Sequence, residues 1–283
     1  MSFLQLLIIS LVQGITEWLP ISSSGHVLLA ASYFELEGRD EYLINAMAHI
    51  GTLFAVLLYF WRDIVRAFAG GLELVASPLS GGSLSKNANL ALNILASLPI
   101  ALVVMVAYEF LLADAQKDAM RSVWVVAATS IIFGAALWWA DIKGSQSRRE
   151  GDMKVRDAIL IGATQAIAAL LPGTSRSGIT MTAARALGFE RTEAARFSML
   201  IGAPLLAAVG AYAFLKLAGS DAGEGVATLT DGLIVAGLSF ISGFLSIWAL
   251  MELLKRISFL PFVIYRFLLG IGLLVAAPIM GLI

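Results

Sequence analysis

The chain has 283 residues, 59% of them hydrophobic and only 14% charged, with a formal net charge of -1 and a mean hydropathy of +0.87. That balance belongs to a chain living in a bilayer, among membrane lipids, and not to a soluble domain. A charge near zero without a basic tail gives no support for binding nucleic acid, and the absence of cysteine excludes disulfides and thiolate metal sites.

The first apolar stretch, about 3 to 19, stops at Pro20 and Ser22-Ser23-Ser24-Gly25-His26, and a second short one runs from 26 to 34. With no basic segment and no small-residue cleavage site, the start of the chain reads as part of the fold and not as a removable signal. Both stretches are too short and interrupted to cross roughly 30 Å of hydrocarbon at about 1.5 Å per residue. They predict a re-entrant helical hairpin with the Pro/Ser/Gly turn at its tip. Full spans follow near 41 to 60, 88 to 112 and 121 to 140, with an amphipathic surface piece and a flexible loop between 70 and 87, around Gly81-Gly82-Ser83. A polar linker covers 141 to 153. The segments 157 to 171 and 178 to 187 predict a second re-entrant hairpin, before three more spans near 193 to 217, 229 to 254 and 262 to 282.

The two hairpins repeat each other. Gln13 to Gly25 and Gln165 to Ser177 are identical at five of thirteen positions at a constant offset of 152 residues, including the proline break. Residues 1 to 140 and 154 to 283 therefore read as two halves of one membrane domain, each a hairpin plus three spans, six full spans in all. Three is odd, so the second half enters from the opposite face and the repeat is inverted. The fold class is an all-α polytopic membrane protein. Its threading puts thirteen Lys and Arg on one face, among them Arg62, Arg66, Arg148, Arg196 and Lys255, against Arg39, Lys117, Arg121 and Lys216 on the other. The first face is then cytoplasmic, and the first hairpin opens to the outside.

Ionisable groups inside a membrane are costly and usually functional. Here they are Glu17, His26, His49, Arg176 and Arg266, with Glu109, Arg185 and Glu252 nearer segment ends. Gln13 and Glu17, four residues apart, share a helix face. They could hold a divalent cation, Mg²⁺ or Ca²⁺, with water and substrate phosphate completing its shell, or simply bond within the bundle. Ser22 to Gly25 and Thr174, Ser175, Ser177 and Gly178 open two returning half-helices, whose N-termini favour anions. They are also ordinary helix caps. Arg176, in the second copy where the constant offset puts Ser24 in the first, adds a planar fork for phosphate oxygens. His26 can neighbour Ser23 and move its proton. His49 is as well explained by a helix-to-helix hydrogen bond, and Arg266 by a second phosphate contact or a pairing with Glu252.

These motifs, Gln13-Gly14-Ile15-Thr16-Glu17 with Leu19 to His26, Pro172 to Gly178, and Lys255 to Phe262 with Tyr265-Arg266, resemble the undecaprenyl-pyrophosphate phosphatase family linked to bacitracin resistance. The resemblance covers essentially the whole chain. It implies an inner-membrane enzyme that removes the terminal phosphate of a polyprenyl pyrophosphate and returns the monophosphate carrier for peptidoglycan assembly. Carried onto this chain, it makes Glu17 the essential acid, Ser23 the nucleophile, His26 its proton partner and Arg176 the phosphate clamp. The family's acidic motif allows Gln or Glu at the position of Gln13. A metal-bound water is the variant nucleophile. The competing reading is a lipid-phosphate flippase or transporter built on the same inverted repeat; homo-oligomerisation is left open by the residues.

Overall fold

The computed structural model describes residues 1–23, 25–26, 34, 38–76, 84–218 and 227–279. Its helices are α1 (Phe3–Trp18), α2 (Gly38–Tyr59), α3 (Trp61–Ala76), α4 (Lys86–Ala96), α5 (Pro99–Leu111), α6 (Asp114–Met120), α7 (Val123–Lys143), α8 (Val155–Ala163), α9 (Gln165–Leu170), α10 (Arg176–Ala186), α11 (Arg191–Ala218), α12 (Leu229–Leu254) and α13 (Leu260–Ile279), with a short 3₁₀ turn at Glu150–Asp152. Five segments are long and apolar enough to cross a membrane: Asp40–Tyr59, Lys86–Leu111, Val123–Lys143, Arg191–Ala213 and Leu229–Leu254. The chain is thus an all-helical, multi-pass membrane protein. The sixth expected span is α13, whose described apolar stretch, Leu260–Val275, is shorter than the others.

Two expected elements differ in detail. The span predicted at 88 to 112 is two helices, α4 and α5, broken at Ser97-Leu98, because Pro99 has no N–H to continue the ladder. The amphipathic piece expected from residue 70 begins earlier, at Trp61. Its exposed Trp61, Val65, Phe68, Leu72 and Val75 form one apolar stripe at helical spacing, the pattern of a helix lying in the interface. The loop around Gly81-Gly82-Ser83, and most of the first hairpin's returning arm, fall outside the described residues.

The halves interlock. Helix α12 packs on α1 and α2, α2 on α11, α13 on α7, and α10 on both α7 and α11. Trp18, Val56, Met181, Met199, Ile247 and Phe259 from both halves share one buried cluster. The linker is pinned as well. Arg66 reaches Glu150 at 2.7 Å, and Arg196 bridges Glu150 at 2.7 Å and Asp63 at 2.6 Å. Burial pushes the Glu150 carboxyl up, but the hydrogen bonds and charge of Arg66 and Arg196 outweigh it and hold the group below the usual carboxylate range. The fully buried Arg185 joins α10 to Asp141 at 3.0 Å, and the same carboxylate takes Arg191 at 2.8 Å and the Phe259 N–H at 3.1 Å. A buried charge needs such partners, and these fix the ends of α7, α10 and α13 together.

Candidate active site at the two hairpin tips

Both tips are built by one local device. Ser22 and Ser175 are the only non-glycine residues with positive φ among the described residues, at 75° and 67°. Each hydroxyl accepts the N–H three residues on, Gly25 at 3.5 Å and Gly178 at 3.1 Å. Each serine therefore caps the helix that returns from its turn. This pairing is offset by 153 residues, one more than the proline repeat, and the extra residue is Gly173. Gly173 sits at φ +85°, and a Cβ there would strike Thr129 Oγ1 and the Val126 carbonyl, so only glycine fits. The corrected register matches Ser22-Ser23-Ser24-Gly25 to Ser175-Arg176-Ser177-Gly178. Arg176 is thus the counterpart of Ser23, not of Ser24, which itself lies outside the described residues. The Gly25 and Gly178 N–H groups, expected to await an anion, are taken by the caps.

The first residue of each returning helix reaches the same carboxylate. Ser23 Oγ donates to Glu17 Oε2 at 2.7 Å, and Arg176 Nη2 donates to Glu17 Oε1 at 3.1 Å. Glu17 is buried near the end of α1, with its side chain 5% exposed against 15% for Arg176. The guanidinium lies over the Trp18 ring, Cζ 4.9 Å from the centroid, while Trp18 Nε1 donates to the Thr52 carbonyl at 3.2 Å. On α11, a Cβ at Gly202 would overlap the Arg176 guanidinium. Trp18 and Gly202 thus hold the fork in place. Arg176 Nη1 and Thr174 Oγ1 are both buried and bonded to no protein group among the described residues. A buried donor left so costs about 1–3 kcal/mol or more when charged, and both would bond a ligand oxygen. Ser177 Oγ crosses between the tips to the Leu19 carbonyl at 2.9 Å.

Three expected roles change. Gln13 presents its amide nitrogen to Glu17 Oε2 at 3.0 Å and to His49 Nδ1 at 2.9 Å, so that nitrogen bridges α1 and α2 and only the amide oxygen could face a metal. His26 does not bond Ser23: Nδ1 lies 2.7 Å from the Ser22 carbonyl and Nε2 lies 2.5 Å from the Tyr265 hydroxyl. Arg266, fully buried, donates to five carbonyls: Ser130 from Nε, Pro20 and Thr174 from Nη1, Thr129 and Gly173 from Nη2, at 2.9 to 3.3 Å. A guanidinium has five N–H groups, so none remains for phosphate. Nor does Arg266 pair with Glu252, whose partners are Lys255 and Arg256. Arg266 is instead the clamp that ties both tips to α7. The His49 helix-to-helix bond is present as described.

The repeat is also unequal. Gln165 is as buried as Gln13, yet neither of its amide atoms has a partner among the described residues, because Ala169 stands at the position corresponding to Glu17. Among the described residues no three His, Cys, Asp or Glu gather into a metal cage. Glu17 Oε2 accepts from both Gln13 and Ser23, whereas Oε1 takes only Arg176. Among the described residues Oε1 thus keeps one lone pair, which fits a divalent ion held by a single carboxylate and otherwise by water and substrate oxygens. Sequence reasoning missed Trp18, Gly202 and Tyr265 as neighbours of these groups. Tyr265 stood in a quoted motif, while Gly202 carried no signal.

Fold and site together define a multi-pass membrane protein with a buried carboxylate, serine and guanidinium converging from two helix tips, a constellation suited to phosphoryl transfer. The comparisons with known proteins agree. The family described as "Bacitracin resistance protein BacA" matches residues 6–272, and the chain belongs to it. The undecaprenyl-diphosphatase of Hyphomonas neptunium is 60% identical over 99% of both chains. Those of Maricaulis maris and Jannaschia sp. are 46% and 44% identical over 97% and 98% of this chain and 99% of each relative.

Proposed function

We propose that this chain is an undecaprenyl-diphosphatase that cleaves the terminal phosphate from undecaprenyl pyrophosphate, releasing inorganic phosphate and undecaprenyl phosphate. The observation that carries this reading is the Glu17 carboxylate shared by Ser23 at 2.7 Å and Arg176 at 3.1 Å, beside the unpaired Arg176 Nη1 and Thr174 Oγ1.

In this mechanism Ser23 Oγ attacks the terminal phosphorus. Its proton passes to Glu17, already its acceptor, as the new P–O bond forms and the bridging P–O bond breaks. Arg176 offers Nη1 to the phosphoryl oxygens while Nη2 stays on Glu17, so charge developing on phosphorus meets a preorganised fork. The lipid monophosphate leaves, and water then releases phosphate from Ser23, with Glu17 returning the serine proton. A bound Mg²⁺ or Ca²⁺ would supply Lewis-acid charge to the pyrophosphate, and Glu17 is the residue that would hold it. Removing the carboxylate proton acceptor by Glu17→Gln tests the scheme through release of phosphate from the lipid substrate in detergent. Retention of more than about a tenth of the rate would refute it, since general base assistance is worth roughly 10²–10⁴.

The common build of the two tips and the interlocked halves support an inverted repeat of a hairpin plus three spans in each half, over 1 to 140 and 154 to 283. The Lys and Arg excess on the linker face supports an orientation with the linker cytoplasmic and the site reached from the outer side of a bacterial inner membrane.

A further inference from the structure

His26 and Tyr265 are 239 residues apart, and the hydrolytic scheme above leaves both without a role. Their geometry fixes how they share protons. A carbonyl only accepts, so the 2.7 Å contact with Ser22 places the proton of His26 on Nδ1. In the neutral ring Nε2 is then an acceptor, and the 2.5 Å contact makes the Tyr265 hydroxyl its donor. The rings lie nearly parallel, at 14° with centroids 5.6 Å apart. The residue after Tyr265, Arg266, binds the Pro20 carbonyl of the same tip that carries His26. Tyr265 is 40% exposed, and its partner His26 stands three residues beyond Ser23, on the first turn of the same returning helix.

The geometry points to Tyr265 as the residue that relays a proton from the attacking water to His26 when the phosphorylated Ser23 is hydrolysed. This inference rests on the phosphatase reading and adds a residue to it. As the water oxygen bonds to phosphorus, one water proton passes to the Tyr265 oxygen and the phenolic proton passes to Nε2. The P–Oγ bond breaks, Ser23 regains its proton from Glu17, and the imidazolium then releases its proton to solvent. Glu17 serves the first step and the Tyr265–His26 pair the second. That division explains why Ser23 bonds Glu17 and not the nearby histidine.

Tyr265→Phe keeps the ring and removes the relay. Slowing only the second step lowers kcat roughly 10- to 100-fold, the scale of a lost acid–base group. KM falls by a similar factor, kcat/KM stays within about threefold, and labelled phosphate accumulates on Ser23. His26→Gln does the same, and Tyr265→Phe added to it costs nothing further. A second arm needs no turnover. The chain has two histidines, and they are opposite tautomers: the Gln13 amide donates to Nδ1 of His49, so His49 carries its proton on Nε2. In protein labelled with ¹⁵N-histidine, Tyr265→Phe shifts the unprotonated Nε2 resonance of His26 and leaves His49 in place. An unmoved Nε2 resonance, an unchanged kcat, or a kcat/KM that falls along with kcat overturns the inference. A folded wild-type protein that releases no phosphate sinks the phosphatase reading instead, and the resonance still reports whether the Tyr265–His26 bond exists.

Discussion

Arg266 offers the sharpest test of how the site is built, because a structural clamp and a phosphate ligand fail differently. Its five N–H groups meet five buried carbonyls from both tips and α7. Arg266→Met removes every donor. Hydrogen bonds from a charged donor contribute about 1.5–3 kcal/mol each; five taken independently would exceed about 7 kcal/mol, and partial relaxation of the carbonyls lowers the expected loss to at least about 4 kcal/mol. Arg266→Lys keeps the charge but has three donors. Two carbonyls then stay unpaired at about 1–3 kcal/mol each, for a loss of about 2–6 kcal/mol. Reversible unfolding in mixed micelles, followed by near-ultraviolet circular dichroism, measures both. Arg256→Ala is the control: this side chain is 80% exposed with a 3.8 Å pairing, and its loss stays within about 0.5 kcal/mol. If Arg266→Lys were as stable as wild type and only raised KM, Arg266 would be a phosphate ligand and the clamp would be wrong.

Other consequences follow from the same geometry. Gly202→Ala drives a methyl group into the Arg176 guanidinium and should lower kcat/KM about 10- to 100-fold, as a misplaced positioning group does; unchanged kinetics would show that Arg176 is not held there. Gly173→Ala, at φ +85° against the Val126 backbone, should cost about 2 kcal/mol or more in the same unfolding assay. Glu150 has its acidity strengthened by Arg66 and Arg196, so its tie to α3 and α11 is complete above the ordinary carboxylate pKa of about 4.3 and is lost as pH falls through its lower folded value. Amide exchange over 145 to 152, corrected for intrinsic rates, should rise only at that acid end; a rise already near pH 6 would contradict the pairing. Chelation with EDTA should lower phosphate release and Mg²⁺ or Ca²⁺ restore it, and release indifferent to chelator would remove the metal from the scheme.

Much of this site was legible because its signals are local. Proline followed by hydroxyl residues marks a broken helix wherever it occurs, and four-residue spacing put Gln13 and Glu17 on one face. The register of the second tip was not legible. A constant offset hides a single inserted glycine, and the positive φ of Ser22 and Ser175, with their caps on Gly25 and Gly178, reveals that Arg176 stands where Ser23 stands. Arg266 misled for a different reason: its partners are main-chain carbonyls, which leave no mark on side-chain sequence. The His26–Tyr265 pair joins opposite ends of the chain, and no periodicity links residues so far apart. The break at Ser97-Leu98 was written in Pro99, but an otherwise continuous apolar run masked it.

The central claim is that one carboxylate gathers a serine from the first tip and an arginine from the second to cleave a pyrophosphate. Its most direct measurement is phosphate release from undecaprenyl pyrophosphate by purified protein in detergent, for wild type and Ser23→Ala, Glu17→Gln and Arg176→Ala, each verified as folded. The wild type should release phosphate, with each variant down by about 10²-fold or more. A folded wild type without release, or an Arg176→Ala variant that keeps its rate, would contradict it.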